Sequence, residues 1–128
     1  MNDLTTNFLK EICHSLSCCC YKKLGGNSRI FELFGNKEEI NIYVLTSDKG
    51  FGWGVNLNQM EKLKKTEKKW FLILLSNNKK YCLSPEFFND FLCNYAPTNS
   101  QGYYKIWRNQ AAPYLEQYLF KKITEIIK

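Results

Sequence analysis

Apolar residues recur with helical spacing at the start of the chain and with tighter, strand-like spacing in the segments that follow. Between residues 4 and 20 an apolar side chain returns every three or four positions, which is typical of an amphipathic helix. Apolar runs bounded by Gly, Asn or Ser predict strands at 29–34, 39–47, 50–55, 70–75, 81–83 and 103–107. Helical spacing returns at 56–65 and at 110–127. A further helix is predicted to start at Ser84-Pro85-Glu86, where a capping residue precedes Pro and an acid.

This order of elements predicts an α/β (mixed α+β) protein made of one compact domain, residues 1–128. We expect a central mixed sheet of about five strands flanked by helices. A length of 128 residues suits one core, and 45% hydrophobic residues are enough to fill it. No apolar run approaches the roughly 18 residues that span a bilayer, and no export signal opens the chain. We therefore expect a cytoplasmic protein with no membrane partner.

The strand at 50–55 alternates glycine with large apolar residues, so one of its faces is bare backbone. Bare backbone lets another element approach closely, and packing under a helix is favoured over contact with a ligand. Trp53 lies at the centre of this strand. We expect Trp53, together with Tyr103, Tyr104 and Trp107, to stack on bases if it is exposed.

The cysteines are interpreted as free, buried thiols. They occupy positions 13, 18, 19, 20, 82 and 93. A zinc site built from Cys13, His14 and the Cys18–Cys20 run is the alternative, but a second distant pair of ligands is absent. His14 is the only histidine of the chain, and we expect it to be a partly buried structural residue.

Most of the positive charge lies in one window. From Glu61 to Lys80, seven lysines against two glutamates leave five of the six net positive charges of the chain. The lysines are Lys62, Lys64, Lys65, Lys68, Lys69, Lys79 and Lys80. Such a patch attracts a phosphate backbone by releasing counterions, so DNA or RNA is a candidate partner. A solvated lysine-rich face that maintains solubility explains the same residues.

The element order and several local phrases carry a resemblance. Phe31-Glu32-Leu33-Phe34 is followed by Ile42-Tyr43-Val44-Leu45-Thr46-Ser47, then by the apolar strand at 70–75 and by Tyr81-Cys82-Leu83-Ser84-Pro85. In this order they resemble the small restriction-endonuclease-like domains of the PD-(D/E)xK superfamily. The resemblance implies that residues 31–34 replace a strand bearing an Asp, and residues 42–47 a strand bearing an acid-x-Lys triplet.

Two positions depart from the family pattern. Tyr43 stands where the resemblance implies a metal-binding acid, and Leu45 stands where it implies the catalytic Lys. Neither side chain can hold a divalent cation or activate water. We therefore predict no catalytic residue, no metal and no cofactor. If the protein is active, the relocated residues are Glu11, Glu32 and Lys49, beside Asp48, and Mg²⁺ is required.

Three functions follow from these observations. The first, narrowly preferred, is a non-catalytic nucleic-acid-binding protein on a degenerate nuclease-like fold. The second is a protein-interaction factor, such as a phage- or defence-associated inhibitor or accessory subunit, in which the protein partner contacts surface aromatics. The third is a metal-dependent nuclease with relocated catalytic residues.

Overall fold

The computed structural model describes residues 3–15, 20–23, 29–34, 39–47, 49, 51–65, 69–77, 79–83, 85–86 and 103–111. Its helices are α1 (Asp3–Ser15), α2 (Leu57–Lys65) and α3 (Arg108–Ala111). Its strands are β1 (Cys20–Lys23), β2 (Ile30–Phe34), β3 (Glu39–Thr46), β4 (Gly52–Asn56), β5 (Lys69–Leu75), β6 (Lys80–Leu83) and β7 (Tyr103–Trp107). No described helix has the length and apolar character needed to cross a membrane.

Five strands form the central sheet in the order β1-β2-β3-β5-β6. β3 and β5 run parallel, and the other neighbouring pairs are antiparallel. This arrangement confirms the predicted mixed sheet of about five strands. β5 is an interior strand, and it is buried at every residue after Lys69 because both of its faces are covered. The apolar run from Trp70 to Leu75 made this strand predictable from the sequence.

The first helix is shorter than its apolar spacing predicts. α1 ends at Ser15, and Cys20 opens the edge strand β1, opposite Phe34 of β2. The prediction that Cys20 extends a helical apolar stripe is therefore wrong. β1 is only four residues long and three of them, Tyr21 to Lys23, are exposed. A strand of this kind owes its conformation to pairing with its neighbour, which a local pattern does not reveal.

Opposite faces of the central sheet are covered by different elements. α1 covers one face with Phe8, Leu9 and Ile12, which share a buried cluster with alternate residues of β2, β3 and β5. The other face belongs to a second cluster that includes residues of β4, α2 and β7. Because successive side chains of a strand point to opposite faces, each strand residue can be assigned to one of these two layers.

β4 and β7 pair with each other as a separate antiparallel ribbon. Trp53 and Val55 of β4 face inward and are buried with Ile106 of β7. The glycine face of β4 points away from this core. The side chains of Lys105 and Trp107 lie so close to Gly52 that a Cβ there would meet them at 2.7 and 3.0 Å. The prediction was that a helix packs against the glycine face. Instead, side chains of the partner strand β7 occupy the space that a side chain at Gly52 would fill.

Asn56 joins β4 to α2 and caps the helix. Its Oδ1 accepts hydrogen bonds from the backbone N–H groups of Asn58 and Gln59, at 2.8 and 3.2 Å. Asn is a favoured residue at this position because it satisfies N–H groups that lack a partner within the helix. The predicted helix at 56–65 is confirmed.

Two further helices were predicted towards the end of the chain. For the first, Pro85 and Glu86 are helical, and Phe87 to Phe91 lie outside the described residues. For the second, α3 begins at Arg108, and residues 112–127 lie outside the described residues.

Candidate nucleic-acid interface

The two positions that depart from the nuclease pattern lie inside the core. Tyr43 and Leu45 are 2% and 5% exposed, and both point to the face covered by β4, α2 and β7. Tyr43 lies opposite Leu72 of β5, and Leu45 lies opposite Leu74. The hydroxyl of Tyr43 accepts a hydrogen bond from the backbone N–H of Asn56 at 3.3 Å. These side chains fill space and hold the ribbon in place.

Glu11 and Glu32 lie on opposite sides of the central sheet. Glu11 is on α1, where its carboxylate pairs with the Lys80 ammonium at 2.6 Å. Glu32 lies between Phe31 and Leu33, which both contact the α1 layer, so its own side chain points to the other face. The structure does not bring these two carboxylates together.

Lys49 is also distant from Glu32. It is exposed and follows the end of β3. Glu32 pairs with Asn41, which is five residues before Thr46 at the end of β3. At about 3.3 Å per residue this is roughly 17 Å along the strand. Within the described part of the chain, no group of three or more His, Cys, Asp or Glu residues could hold one metal ion. Asp48 lies outside that part.

The cysteine and histidine predictions have mixed outcomes. Cys82 is buried and forms no disulfide, as predicted, and Cys13 forms none either and is half-buried. His14 is exposed in the last turn of α1, so the prediction that it is a partly buried structural residue is wrong. The reason is its position on the solvent side of the helix, since the sheet side is occupied by Ile12 and its neighbours. Cys18, Cys19 and Cys93 lie outside the described residues.

The lysine window divides into two groups in space. Lys62, Lys64 and Lys65 lie in the last turn of α2, and Lys69 opens β5 four residues after Lys65; we call these four the helix-end lysines. Lys79 and Lys80 lie at the other end of β5, because Lys80 pairs with Leu75. A seven-residue strand separates the groups by roughly 20 Å. Lys68 is outside the described residues. The six lysines of this window that the structure describes therefore do not form one continuous patch.

Trp53 is a core residue, which corrects the prediction that it stacks on bases. It is 1% exposed, and its indole N–H donates to the carbonyl of Leu75 at 3.0 Å. Its ring meets that of Tyr81 edge to face, with centroids 5.5 Å apart. Tyr104 is buried as well, at 9% exposure. Both residues point inward because they belong to the apolar face of the ribbon, which packs on the central sheet.

Solvent-exposed aromatic side chains occur instead at the end of the ribbon. Phe51 and Trp107 are 56% and 50% exposed. The Arg108 guanidinium lies 5.3 Å from the Phe51 ring centre, and the Lys105 ammonium lies 5.4 Å from that of Trp107. We call these four residues the ribbon-end patch. Trp107 was predicted as a stacking residue from the sequence, but its partners were not, since only the pairing of β4 with β7 brings Phe51 beside Arg108.

These elements, their order and the mixed five-stranded sheet define a restriction-endonuclease-like fold. Among solved structures the chain is similar to Hjc, a Holliday junction resolvase from the archaeal hyperthermophile Archaeoglobus fulgidus. The match has a TM-score of 0.59 and 10% sequence identity, and it covers 86% of this chain and 93% of that chain. At this identity the likeness is one of fold. No family model matches the chain, and no curated protein matches it in sequence.

Proposed function

We propose that this protein binds DNA or RNA on a restriction-endonuclease-like fold and does not cleave it. The observation that carries the proposal is the burial of Tyr43 and Leu45, at 2% and 5% exposure, in an apolar cluster. These are the positions at which the resemblance implies an acid and a lysine. A magnesium ion takes oxygen ligands, mostly carboxylates and water, and neither residue can supply them.

The surroundings of these positions also do not fit a metal ion. Leu72, Leu74 and Trp53 share the cluster with Tyr43 and Leu45. A cation or an ionised carboxylate among such side chains loses its hydration without compensation, which costs several kcal/mol. The carboxylates of Glu11 and Glu32 lie on opposite faces of the sheet. The residues of this chain therefore do not fit a magnesium ion at the position that the resemblance implies.

Cationic side chains support the binding half of the proposal. Lys62, Lys65 and Lys69 are exposed at one end of the central sheet. Lys105 and Arg108 add positive charge at the end of the ribbon. Side chains of this type neutralise phosphates and release counterions, which gives affinity without base recognition. Similarity in fold to a Holliday junction resolvase makes branched DNA one reasonable ligand to test.

The test measures binding and cleavage on the same samples. The full chain is titrated against a four-way DNA junction, duplex DNA, single-stranded DNA and single-stranded RNA at several salt concentrations. We expect binding to at least one polymer, with the logarithm of the association constant falling linearly with the logarithm of the salt concentration. We expect no cleavage with Mg²⁺ or Mn²⁺. Absence of binding to all four polymers at low salt would overturn the proposal.

A metal-dependent nuclease is the second candidate, because a nuclease-like fold and a resolvase neighbour are equally consistent with it. Its residues would be Glu32, Glu11 and Lys49, with Mg²⁺ as cofactor. The cleavage assay is therefore repeated with Glu32→Gln and Glu11→Gln. Metal-dependent cleavage that is lost in Glu32→Gln would establish this candidate and refute the non-catalytic proposal.

A further inference from the structure

The ribbon-end patch is built by the pairing of β4 with β7. Gly52 pairs with Trp107, and the backbone N–H of Arg108 donates to the carbonyl of Phe51 at 2.8 Å. This extra hydrogen bond extends the ladder by one step and fixes Phe51 next to the start of α3. The two aromatic rings are therefore held at the adjoining ends of two paired strands.

The outer face of the ribbon is arranged around this pairing. Gly52 and Gly54 carry no side chains, so Lys105 and Trp107 lie across β4 without obstruction. On the inner face, Trp53 and Ile106 are fully buried. The inner face of the ribbon therefore packs on the core, and its outer face presents the Trp107 ring and the Lys105 ammonium.

Exposure of these rings is unusual for the described part of the chain. Among its residues only Tyr21, Phe51 and Trp107 are large apolar side chains with substantial exposure, and two of the three are in this patch. Phe51, Trp107, Arg108 and Asn109 line a shallow depression of about 410 Å³. Clustered exposed apolar surface of this kind marks an interaction site.

Charge selects the chemistry of the occupant. Between Asp90 and Glu116 the only charged residues are Lys105 and Arg108, and between Asp48 and Glu61 the only one is Lys49. Neither strand of the ribbon contains an acid: β4 is uncharged, and β7 carries Lys105 and is followed directly by Arg108. A ligand that fits has a flat ring to stack on Phe51 or Trp107 and a negative charge near Lys105 or Arg108. A nucleotide has both a flat base and a negative phosphate, whereas an apolar protein surface has no negative charge to pair with Lys105 and Arg108.

We infer that the ribbon-end patch binds an unpaired nucleotide, with its base stacked on Trp107 or Phe51 and its phosphate near Lys105 and Arg108. This inference rests on the proposed nucleic-acid binding and makes it specific. A base inside a duplex has both faces covered by its neighbours, so only single-stranded or extruded bases can stack on a side chain. Asn109 offers an amide donor and acceptor at the rim of the same depression. The helix-end lysines then bind phosphates of either form of nucleic acid.

The experiment compares Trp107→Ala and Phe51→Ala with the wild-type full chain on two probes. The probes are a single-stranded DNA of about 12 nucleotides and a duplex of the same sequence. We expect each variant to bind the single strand about tenfold more weakly, the size of one lost stacking contact, with duplex affinity unchanged. Trp107→Phe keeps a ring and should retain most of the single-strand affinity. Tyr21→Ala is the matched control, because it removes an exposed aromatic from the edge strand β1.

A second readout is the fluorescence of Trp107. The other two tryptophans, Trp53 and Trp70, are 1% and 8% exposed, so a ligand that stacks should alter mainly the Trp107 emission. Binding by the wild type that is equal in Trp107→Ala and Phe51→Ala would overturn the inference and leave the proposed function standing. Equal weakening on both probes would also overturn it, because it would show a general electrostatic contact. If the wild type binds neither probe nor the junction or RNA, the proposed function itself has failed.

Discussion

The hydroxyl of Tyr43 accepts a hydrogen bond from the backbone N–H of Asn56 at 3.3 Å, which joins the central sheet to the residue that caps α2. Tyr43 stands where the nuclease resemblance implies a metal-binding acid. Its polar group is used for a structural contact beneath the ribbon, and its ring is buried in the apolar cluster. The same position therefore explains both how the ribbon and α2 are attached to the sheet and why we propose that a cation is not held there.

Removal of this hydroxyl tests the contact. In Tyr43→Phe the partly buried N–H of Asn56 loses its acceptor, and we expect the free energy of unfolding to fall by about 1 kcal/mol. Urea denaturation followed by circular dichroism measures the change. Tyr21→Phe, at an exposed position of β1, is the control and should change stability by less than about 0.5 kcal/mol. Identical midpoints for Tyr43→Phe and the wild type would show that the hydrogen bond contributes nothing.

Restoring the nuclease residues should damage the fold rather than create an enzyme. Tyr43→Glu combined with Leu45→Lys places two ionisable groups among Leu72, Leu74 and Trp53. Because burial removes their hydration, we expect a loss of about 4 kcal/mol or more in stability, seen as a lowered Tm or an unfolded chain. Asn58→Glu, at an exposed site in the first turn of α2, is the control and should fold normally. A stable double variant that cleaves DNA with Mg²⁺ would contradict our description of this site.

Asn56 has a second role that can be separated from the first. Asn56→Ala removes the side-chain acceptor for the N–H groups of Asn58 and Gln59, and we expect a loss of about 1 kcal/mol. Asn56→Asp retains an acceptor of the same shape and should keep most of the stability. Urea midpoints of the two variants provide the comparison. If both lose the same amount, the cap is not what stabilises the start of α2.

The helix-end lysines should contribute to nucleic-acid binding. We expect Lys62→Glu with Lys65→Glu to weaken duplex binding by about tenfold or more and to reduce the slope of log Kd against log salt by about 2. The double change Lys10→Glu with Lys23→Glu alters net charge equally at exposed sites outside the helix-end lysines, and serves as the matched control. An effect of the same size in both double variants would show that net charge, and not this surface, governs the affinity.

Much of the fold follows from local sequence patterns. The apolar run at 70–75 predicts β5, apolar runs bounded by turn residues predict β2 and β3, and helical spacing at 56–65 predicts α2; each is present. β1 was missed because Cys20 to Lys23 has no apolar pattern of its own and takes its conformation from pairing with β2. The position of Tyr43 and Leu45 on one face of β3 also follows from alternation alone.

The candidate site depended on tertiary structure. Sequence alone fixes which residues share one face of a strand, because the side-chain period of a strand is two. It does not fix what covers that face. The packing of the ribbon on the central sheet decides that Trp53 is buried while Trp107 is exposed, and the side on which α1 packs decides that Glu11 lies away from Glu32. The reason is that these relationships arise from contacts between residues far apart in the chain, whose strength depends on the burial of whole surfaces rather than on any local pattern.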